Sequence, residues 1–439
     1  MEFIKHKIFQ NKQSFIPKIQ VAKELQEQYQ NLCVLLSEDD LAQTNNLPLK
    51  SLSEYLSENS ALVDNLKAKN HIIVHLQNKK YLIFYTKDLN PKQGYNLARK
   101  NQKVIQQELK HLHEEGVNFY FSDKIEQNYL NEYIYGLFIE NYQWQQKSYP
   151  ENKESHESKS INHPIQKYFI ISQNFDEKNS EFEKFLVIAK AKLYSKQLSN
   201  TRADEATTDF MLEEAKKFQQ QNQDKVSLEY LDAAQIKQKG MNLMYAVGQA
   251  SKYQSYLVCM EYKGNKDSKE KLALVGKGVV FDCGGLNLKR VGMDRMFGDK
   301  GGACTCLGIF KAIVDLNLKV NVVCTLPLVE NSISGNSYRC GDIYKTLKGI
   351  TVEIKNTDAE GRNILVEAIT YTQQNYNVTS IMDIATLTGA AKQACGGTMQ
   401  CIFSNDEEKS EKLQRFSTAH HEDLWQIAVW RVWNCSCFY

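Results

Sequence analysis

Along the chain, apolar and polar residues change rhythm near Asp224. Before it, the short apolar runs HIIVHL (71–76) and YLIFYT (81–86) read as strands joined by a turn at Gln77 to Lys80. Helical periodicity follows over 104–113, then a strand GVNFYFS (116–122), then a helix in YLNEYIYGLFIENYQW (129–144). Two more helical patterns cover 181–198 and 209–220. Beyond Asp224 the strand-like runs KVSLEYL, YLVCMEY, KLALVGKGVVF, VNVVCTLPLVEN and TSIMDIATL alternate with helices over 302–316 and 361–374. Such alternation predicts a mainly parallel sheet with helices on its faces, whose ligand site lies outside the carboxyl ends of strands. The stretch KSYPENKESHESKSINHPIQ (147–166) is charged and poor in large apolar residues, which predicts an exposed linker. The expected architecture is therefore α/β in two domains. A smaller N-terminal α/β domain covers 1–147 and a linker region 148–180. A larger α/β domain covers 181–439, with a mixed, mainly parallel sheet flanked by helices.

Composition narrows the choice of partner. Lys and Arg total 54 against 52 Asp and Glu, so no global field draws the 439-residue chain to nucleic acid or to an anionic membrane. No apolar run approaches bilayer length, and the opening MEFIKHKIFQNKQSF lacks the apolar core of a signal peptide, so a soluble, cytoplasmic protein is expected. The eleven cysteines form no CxxC pairs and lie mostly in hydrophobic segments, which predicts free buried thiols rather than disulfides or a thiolate zinc site. None of the nine histidines falls between Pro164 and Ala419. A metal in that region would have to be held mainly by carboxylates, and a general base there would not be imidazole.

Three polar clusters sit where strand patterns stop. In VGKGVVFDCGGLNLK, the charges Lys277, Asp282 and Lys289 interrupt apolar and glycine residues. Strand-end and turn roles are available to all three, yet Lys277 and Asp282 adjoin residues that should be buried, and a buried charge needs a partner. In GDKGGACTCLGIFKAI, Asp299 precedes a helix and reads as its N-cap; a phosphate loop is disfavoured because Gly-x-x-x-x-Gly-Lys-Ser/Thr is absent. In KNTDAEGRNIL, Thr357 to Glu360 fits a capping box, while Asp358, Glu360 and Arg362 are each two residues apart. Four acids crowded into one site would resist ionisation unless cations neutralised them. Two divalent metals about 3.5–4 Å apart would do so, and amide hydrolysis is the natural reaction of such a pair.

VGKGVVFDCGG, GDKGGA, ENSISGNSYRCGDI, NTDAEGR and DIATLTGA resemble, in order and nearly in spacing, the successive signatures of the leucyl aminopeptidase (cytosol aminopeptidase) family. GMNLMYAVGQAS and QLSNTRAD are looser versions of family segments, and the resemblance covers about residues 188–403. It implies a catalytic role for the 181–439 domain and a metal-dependent aminopeptidase that removes N-terminal residues, with a preference for leucine and other apolar ones, from short peptides. By the same resemblance Asp282 and Glu360 bridge two ions, Lys277 and Asp299 complete the tighter site, and Asp358 completes the exchangeable one. Zinc is the implied metal, with Mn or Mg possible at the exchangeable site. Lys289 would polarise the scissile carbonyl, Arg362 would hold a bicarbonate ion as general base, and Leu387 and Gly389 would bind substrate. The family's assembly is a homo-hexamer.

The chain departs from the family pattern at several places. Cys283 replaces a usual Ser, Lys300 an apolar Met and Cys340 a proline, and Asn200-Thr201-Arg202 stands for an Asn-Thr-Pro segment. Lys300 would put a second cation beside the metals, weakening their binding or reshaping the pocket floor. After Trp425 to Trp430 the ending WNCSCFY no longer follows the family, so a C-terminally truncated, incomplete catalytic domain with exposed apolar surface is expected. That leaves a second reading open: a catalytically inactive homologue serving a structural or assembly role.

Overall fold

The computed structural model of the chain describes residues 18–22, 31–44, 49–76, 79–109, 116–142, 144, 165, 167–420 and 422–427. Val187 to Leu387 form one compact unit; the described residues up to Leu186, with those from Thr388 onward, form the other. The division at Leu186/Val187 lies near the expected 180/181, and the segment after Leu387 groups with the N-terminal part. Much of the expected linker region 148–180 lies outside the described residues, but within it Lys167–Ile171 is a strand.

In the N-terminal part six strands, β1 (Lys18–Val21), β2 (Asn31–Ser37), β3 (His71–Leu76), β4 (Lys79–Thr86), β5 (Gly116–Phe121) and β6 (Lys167–Ile171), form a sheet in the order β1-β6-β5-β2-β4-β3. All pairings are parallel except β3 with β4. Gln77 and Asn78 of the expected turn lie outside the described residues. Every residue of β2 and β5 is buried, as befits strands covered on both faces. Helices α1 (Pro91–Glu108) and α2 (Gln127–Asn141) pack closely, since a Cβ on Gly136 would come within 2.7 Å of the Tyr95 carbonyl oxygen. Asn90 accepts a bond from the Lys92 N–H and Pro91 follows it, which starts α1 there rather than at the shorter expected span. In the same unit, after Thr388, Cys395 and Cys401 are joined in a disulfide, which corrects the expectation that the thiols are free. Cys33, Cys259, Cys304, Cys306 and Cys324 are free and buried as expected.

The second unit is built on a mixed sheet. Its strands are β7 (Val226–Leu231), β8 (Tyr256–Lys263), β9 (Leu272–Gly276), β10 (Gly278–Asp282), β11 (Asn321–Asn331) and β12 (Ser380–Ile384), in the order β12-β9-β11-β8-β7. β9 runs parallel to both β12 and β11, and β10 pairs in parallel with the far end of β11; β8 is antiparallel to β11 and β7. The run KLALVGKGVVF is thus two strands, broken at Lys277. Alternate side chains feed two cores. On one face Val258, Leu274 and Cys324 meet Leu198 of α3 (Ser180–Asn200), Met211 of α4 (Thr208–Gln221) and Phe310 of α6 (Gly301–Asp315). On the other, Leu257, Ala273, Val275 and Val323 meet Met244 of α5 (Asn242–Gly248) and Ile364 and Leu365 of α7 (Glu360–Tyr376). α6 and α7 therefore sit on opposite faces with their N-termini at the carboxyl end of β9 and β10, where the polar clusters are. No described helix is long and apolar enough to cross a membrane.

Candidate metal centre

The break between β9 and β10 carries Lys277. Its backbone N–H donates to the Ile384 carbonyl at 3.0 Å, and its carbonyl accepts from the Ala303 N–H at 2.8 Å, tying it to the end of β12 and the start of α6. Glycines make the room: a Cβ on Gly361 would lie 2.7 Å from the Lys277 Cε and Nζ, and one on Gly276 would lie 2.7 Å from the Ala303 Cα. The ammonium is 2.9 Å from an Asp299 oxygen, 2.9 Å from a Glu360 oxygen and 3.0 Å from the Thr386 carbonyl. Its three protons have three acceptors.

Asp282 ends β10, with Oδ1 accepting from the Gly284 N–H (2.9 Å) and the Asn331 Nδ2 (2.8 Å) and Oδ2 lying 2.7 Å from the Lys289 Nζ. The loop after it turns back so that the Lys289 N–H donates to the Cys283 carbonyl at 2.9 Å. Gly284 and Gly285 have φ of 90° and 61°, a region that side chains disfavour, and a Cβ on Gly284 would approach Asp358 Oδ1 to 2.9 Å. Lys289 also pairs with Asp358. Each lysine thus lies between two carboxylates.

The cap readings of the acids do not hold. Asp299 lies inside a 3-10 segment, Met293–Lys300, and turns inward, where its Oδ1 accepts from the Thr386 hydroxyl at 2.8 Å. The N-cap of α6 is Lys300, whose side chain makes no capping bond. Nor does the Thr357 to Glu360 capping box form. Asn356 caps the turn Thr357–Ala359 by accepting from the Asp358 N–H, while the Thr357 hydroxyl donates to the Gly284 carbonyl at 2.7 Å and accepts from the Asn287 N–H at 2.8 Å. Glu360 is buried against Lys277 instead of reaching back. Tertiary partners outbid the local motif.

Burial pushes the Glu360 carboxyl up to about 7, against the pull of Lys277, and raises Asp299 in the same way. Burial works against the Lys277 and Lys289 ammoniums too, but their flanking carboxylates hold both above the ordinary lysine value. Four carboxylates against two ammoniums leave a formal excess of two negative charges in this pocket when all are ionised. Glu360 Oε2 and Asn331 Oδ1 are buried with no hydrogen-bond partner among the described residues, and Asp299 Oδ2 and Asp358 Oδ1 have only the lysine contacts. One oxygen each of Asp282, Asp358 and Glu360 lies within 4.8 Å of the others. Excess negative charge, orphaned buried oxygens and convergent carboxylates are what hard divalent cations satisfy, so the donor set fits two such ions.

The remaining anticipated residues are less central. Arg362 is exposed in the first turn of α7 and enters none of the described ion pairs. Leu387, exposed, is the last residue of this unit, and Gly389 belongs to the other, where it begins the helix Gly389–Cys395. Lys300 does not crowd the acids with a second cation. Its Nζ donates to the Thr201 carbonyl at 2.8 Å and to those of Ser199 and Phe297, and burial pushes its pKa down to about 8. Sequence reasoning missed Asn331 and Thr386 as partners of the acids. Asn331 was detectable, since it ends β11 as Asp282 ends β10, and the two are register partners.

A family model for the cytosol aminopeptidase catalytic domain matches residues 193–436. A probable cytosol aminopeptidase of Pseudomonas fluorescens is 40% identical over 243 residues, 55% of this chain and 49% of that protein. The cytosol aminopeptidase of Rickettsia prowazekii is 38% identical over 261 residues, 59% of this chain and 52% of its own length. The chain thus spans about half the length of the curated relatives it matches. Among solved structures, leucine aminopeptidase of Caenorhabditis elegans superposes with a TM-score of 0.72 at 22% identity, covering 95% of this chain and 83% of that one. A bottromycin maturation enzyme in complex with Mn gives 0.72 at 20%, covering 91% and 81%. These two structures share the fold. The match over more than half of the chain, laid across the lysine and carboxylate cluster just described, places the protein in the cytosol aminopeptidase family.

Proposed function

We propose that the chain is a metal-dependent aminopeptidase that releases N-terminal residues, leucine and other apolar ones foremost, from short peptides. The observation that carries this reading is the convergence of Lys277, Asp282, Asp299, Asp358 and Glu360 on one buried pocket with Lys289 at its side. Asp282 and Glu360 would be shared by two ions, Lys277 and Asp299 would complete the tighter site and Asp358 the exchangeable one, with zinc at the first and Mn or Mg admissible at the second. When bound, such ions supply an activated water and polarise a carbonyl. Lys277 must then serve as a neutral amine, which requires that its proton leave.

The chain's own groups do the rest. Lys289, whose ammonium lies beside Asp282 and Asp358, would direct its positive charge at the negative charge that develops on the scissile carbonyl oxygen. Asn331 holds Asp282 by Oδ1 and leaves Oδ2 to the lysine side of the pocket. Thr386 does the same for Asp299. Arg362, exposed two residues beyond Glu360, is suited to retain a bicarbonate ion as general base, which answers the absence of histidine from this part of the chain. Leu387 and Gly389 are assigned to substrate binding. A homo-hexamer in the cytoplasm is the assembly and location consistent with the family.

Chelator-stripped protein should hydrolyse leucine anilide only after Zn, Mn or Mg is restored. Stoichiometric metal uptake without turnover would favour the non-catalytic homologue, and absence of uptake would overturn the assignment of the centre. Asn331→Ala should weaken metal binding about 10- to 100-fold, because a group that orients a ligand carries that much affinity without touching the ion. Dialysis against a competing chelator measures it.

A further inference from the structure

Lys300 ends a close helix contact that the acids themselves do not use. Along α3, Ala191, Ser195 and Ser199 recur every fourth residue and face α6. A Cβ on Gly308 would overlap the Ser195 hydroxyl and lie 3.0 Å from the Ala191 carbonyl, and one on Gly301 would touch the Ser199 hydroxyl at 3.9 Å. The Ser195 hydroxyl donates to the Cys304 carbonyl at 2.9 Å. Where α3 stops, its last carbonyls have no helical partner. Two cations supply donors there: Lys300 for Ser199 and for Thr201 just beyond the helix, and Arg202 for Asn200 at 3.2 Å. The Arg202 guanidinium also stacks 3.8 Å over the Phe297 ring. The third Lys300 contact is the Phe297 carbonyl, two residues before Asp299.

The Lys300 side chain is fully buried, and its described hydrogen bonds go to these carbonyls and not to a carboxylate. Its backbone follows Asp299, and its ammonium holds the carbonyl that precedes Asp299. The four-residue turn from Phe297 to Lys300 is thereby closed on itself and fastened to the end of α3. Asp299 bonds through its side chain to Thr386 and Lys277, and its backbone carbonyl accepts from the Thr386 hydroxyl at 3.3 Å, so the clamp at Phe297 adds a second hold on this turn.

We propose that Lys300 is a positioning residue for Asp299: by clamping the Phe297 carbonyl to the C-terminal carbonyls of α3, it fixes the backbone from which Asp299 reaches the tighter metal site. This rests on the reading of Asp299 as a ligand of that site. Lys300 therefore strengthens the centre through its backbone support rather than disturbing it as a neighbouring charge.

The test is a Mn titration of the full chain, followed calorimetrically, with Lys300→Met, Lys300→Gln and Ser195→Ala beside the unchanged protein. Lys300→Met should weaken the tighter site about tenfold or more while the exchangeable site stays within threefold. Lys300→Gln, which keeps a neutral donor, should fall between, and it decides the matter by the same criterion if the Met variant does not fold. Ser195→Ala loosens the same helix contact without touching the clamp and should leave both sites unchanged. Equal losses at both sites, a matching loss in Ser195→Ala, or unaltered affinity in the Lys300 variants would overturn the proposal. No Mn uptake by the unchanged protein would instead overturn the reading of the centre on which it rests.

Discussion

Glu360→Gln should abolish binding at the proposed paired metal site and lower kcat/KM for leucine anilide by at least about a thousandfold, equivalent to about 4 kcal/mol of transition-state stabilisation. Glu360, with Asp282, is assigned to both ions, so a neutral amide of the same shape removes a shared charge while leaving the packing intact. The same substitution has the opposite effect on the metal-stripped fold. Burial lifts the Glu360 pKa from its ordinary 4.5 to about 7, so between those values the native state binds the proton that the unfolded chain releases. Stability contributed through this group therefore falls as pH rises across that window and is lowest above about pH 7. Glutamine lacks the penalty, and Lys277 keeps Asp299 and the Thr386 carbonyl as partners. At pH 8 the stripped Glu360→Gln protein should melt no lower than its parent, and the difference should shrink toward pH 5. Thermal melts with and without metal check both halves: a variant that retains metal and turnover, or that simply unfolds, contradicts the assignment.

Much of this centre was legible because charged residues interrupt apolar runs where strands stop. Lys277 and Asp282 stand next to residues that had to be buried, and a charge in that position needs a partner, while Asp358 and Glu360 stood out by their two-residue spacing with Arg362. What the sequence hid was direction. Asp299 before a helix and Thr357 before Glu360 both look like caps, yet their side chains are claimed by Thr386, Lys277, Gly284 and Asn287 from distant parts of the chain. Lys300 looked like an intruding charge, but its long stem carries the ammonium to the end of α3. The mixed sheet followed from the alternation of strands and helices; the break at Lys277 did not, because periodicity through GKG is continuous. The N-terminal sheet was harder. β6 pairs with β5 across the polar stretch, and nothing local to Lys167–Ile171 announces that partner.

Gly302→Ala should cost about 3 kcal/mol or more, enough to leave the second unit unfolded or partly folded at ordinary temperature, because overpacking against backbone has no rotamer by which to escape. A methyl group on Gly302 would overlap the Ile384 carbonyl oxygen and lie 2.8 Å from the Lys277 amide nitrogen. Those two atoms are the partners of one hydrogen bond, and the adjacent Ala303 N–H makes the next one to Lys277. Both would have to open, so the substitution strikes the junction of β9, β12 and α6 at one point. It also strikes the centre, since Lys277, Asp299 and Thr386 are all set by that junction. Gly298→Ala gives the contrast: no atom lies within 4 Å of a Cβ there, so stability should be nearly unchanged although Asp299 is its neighbour. Denaturant melts of the two variants measure the difference. A Gly302→Ala protein as stable as its parent would mean that α6 does not enter the sheet at this distance, and the placement of Asp299 beside Lys277 would fail with it.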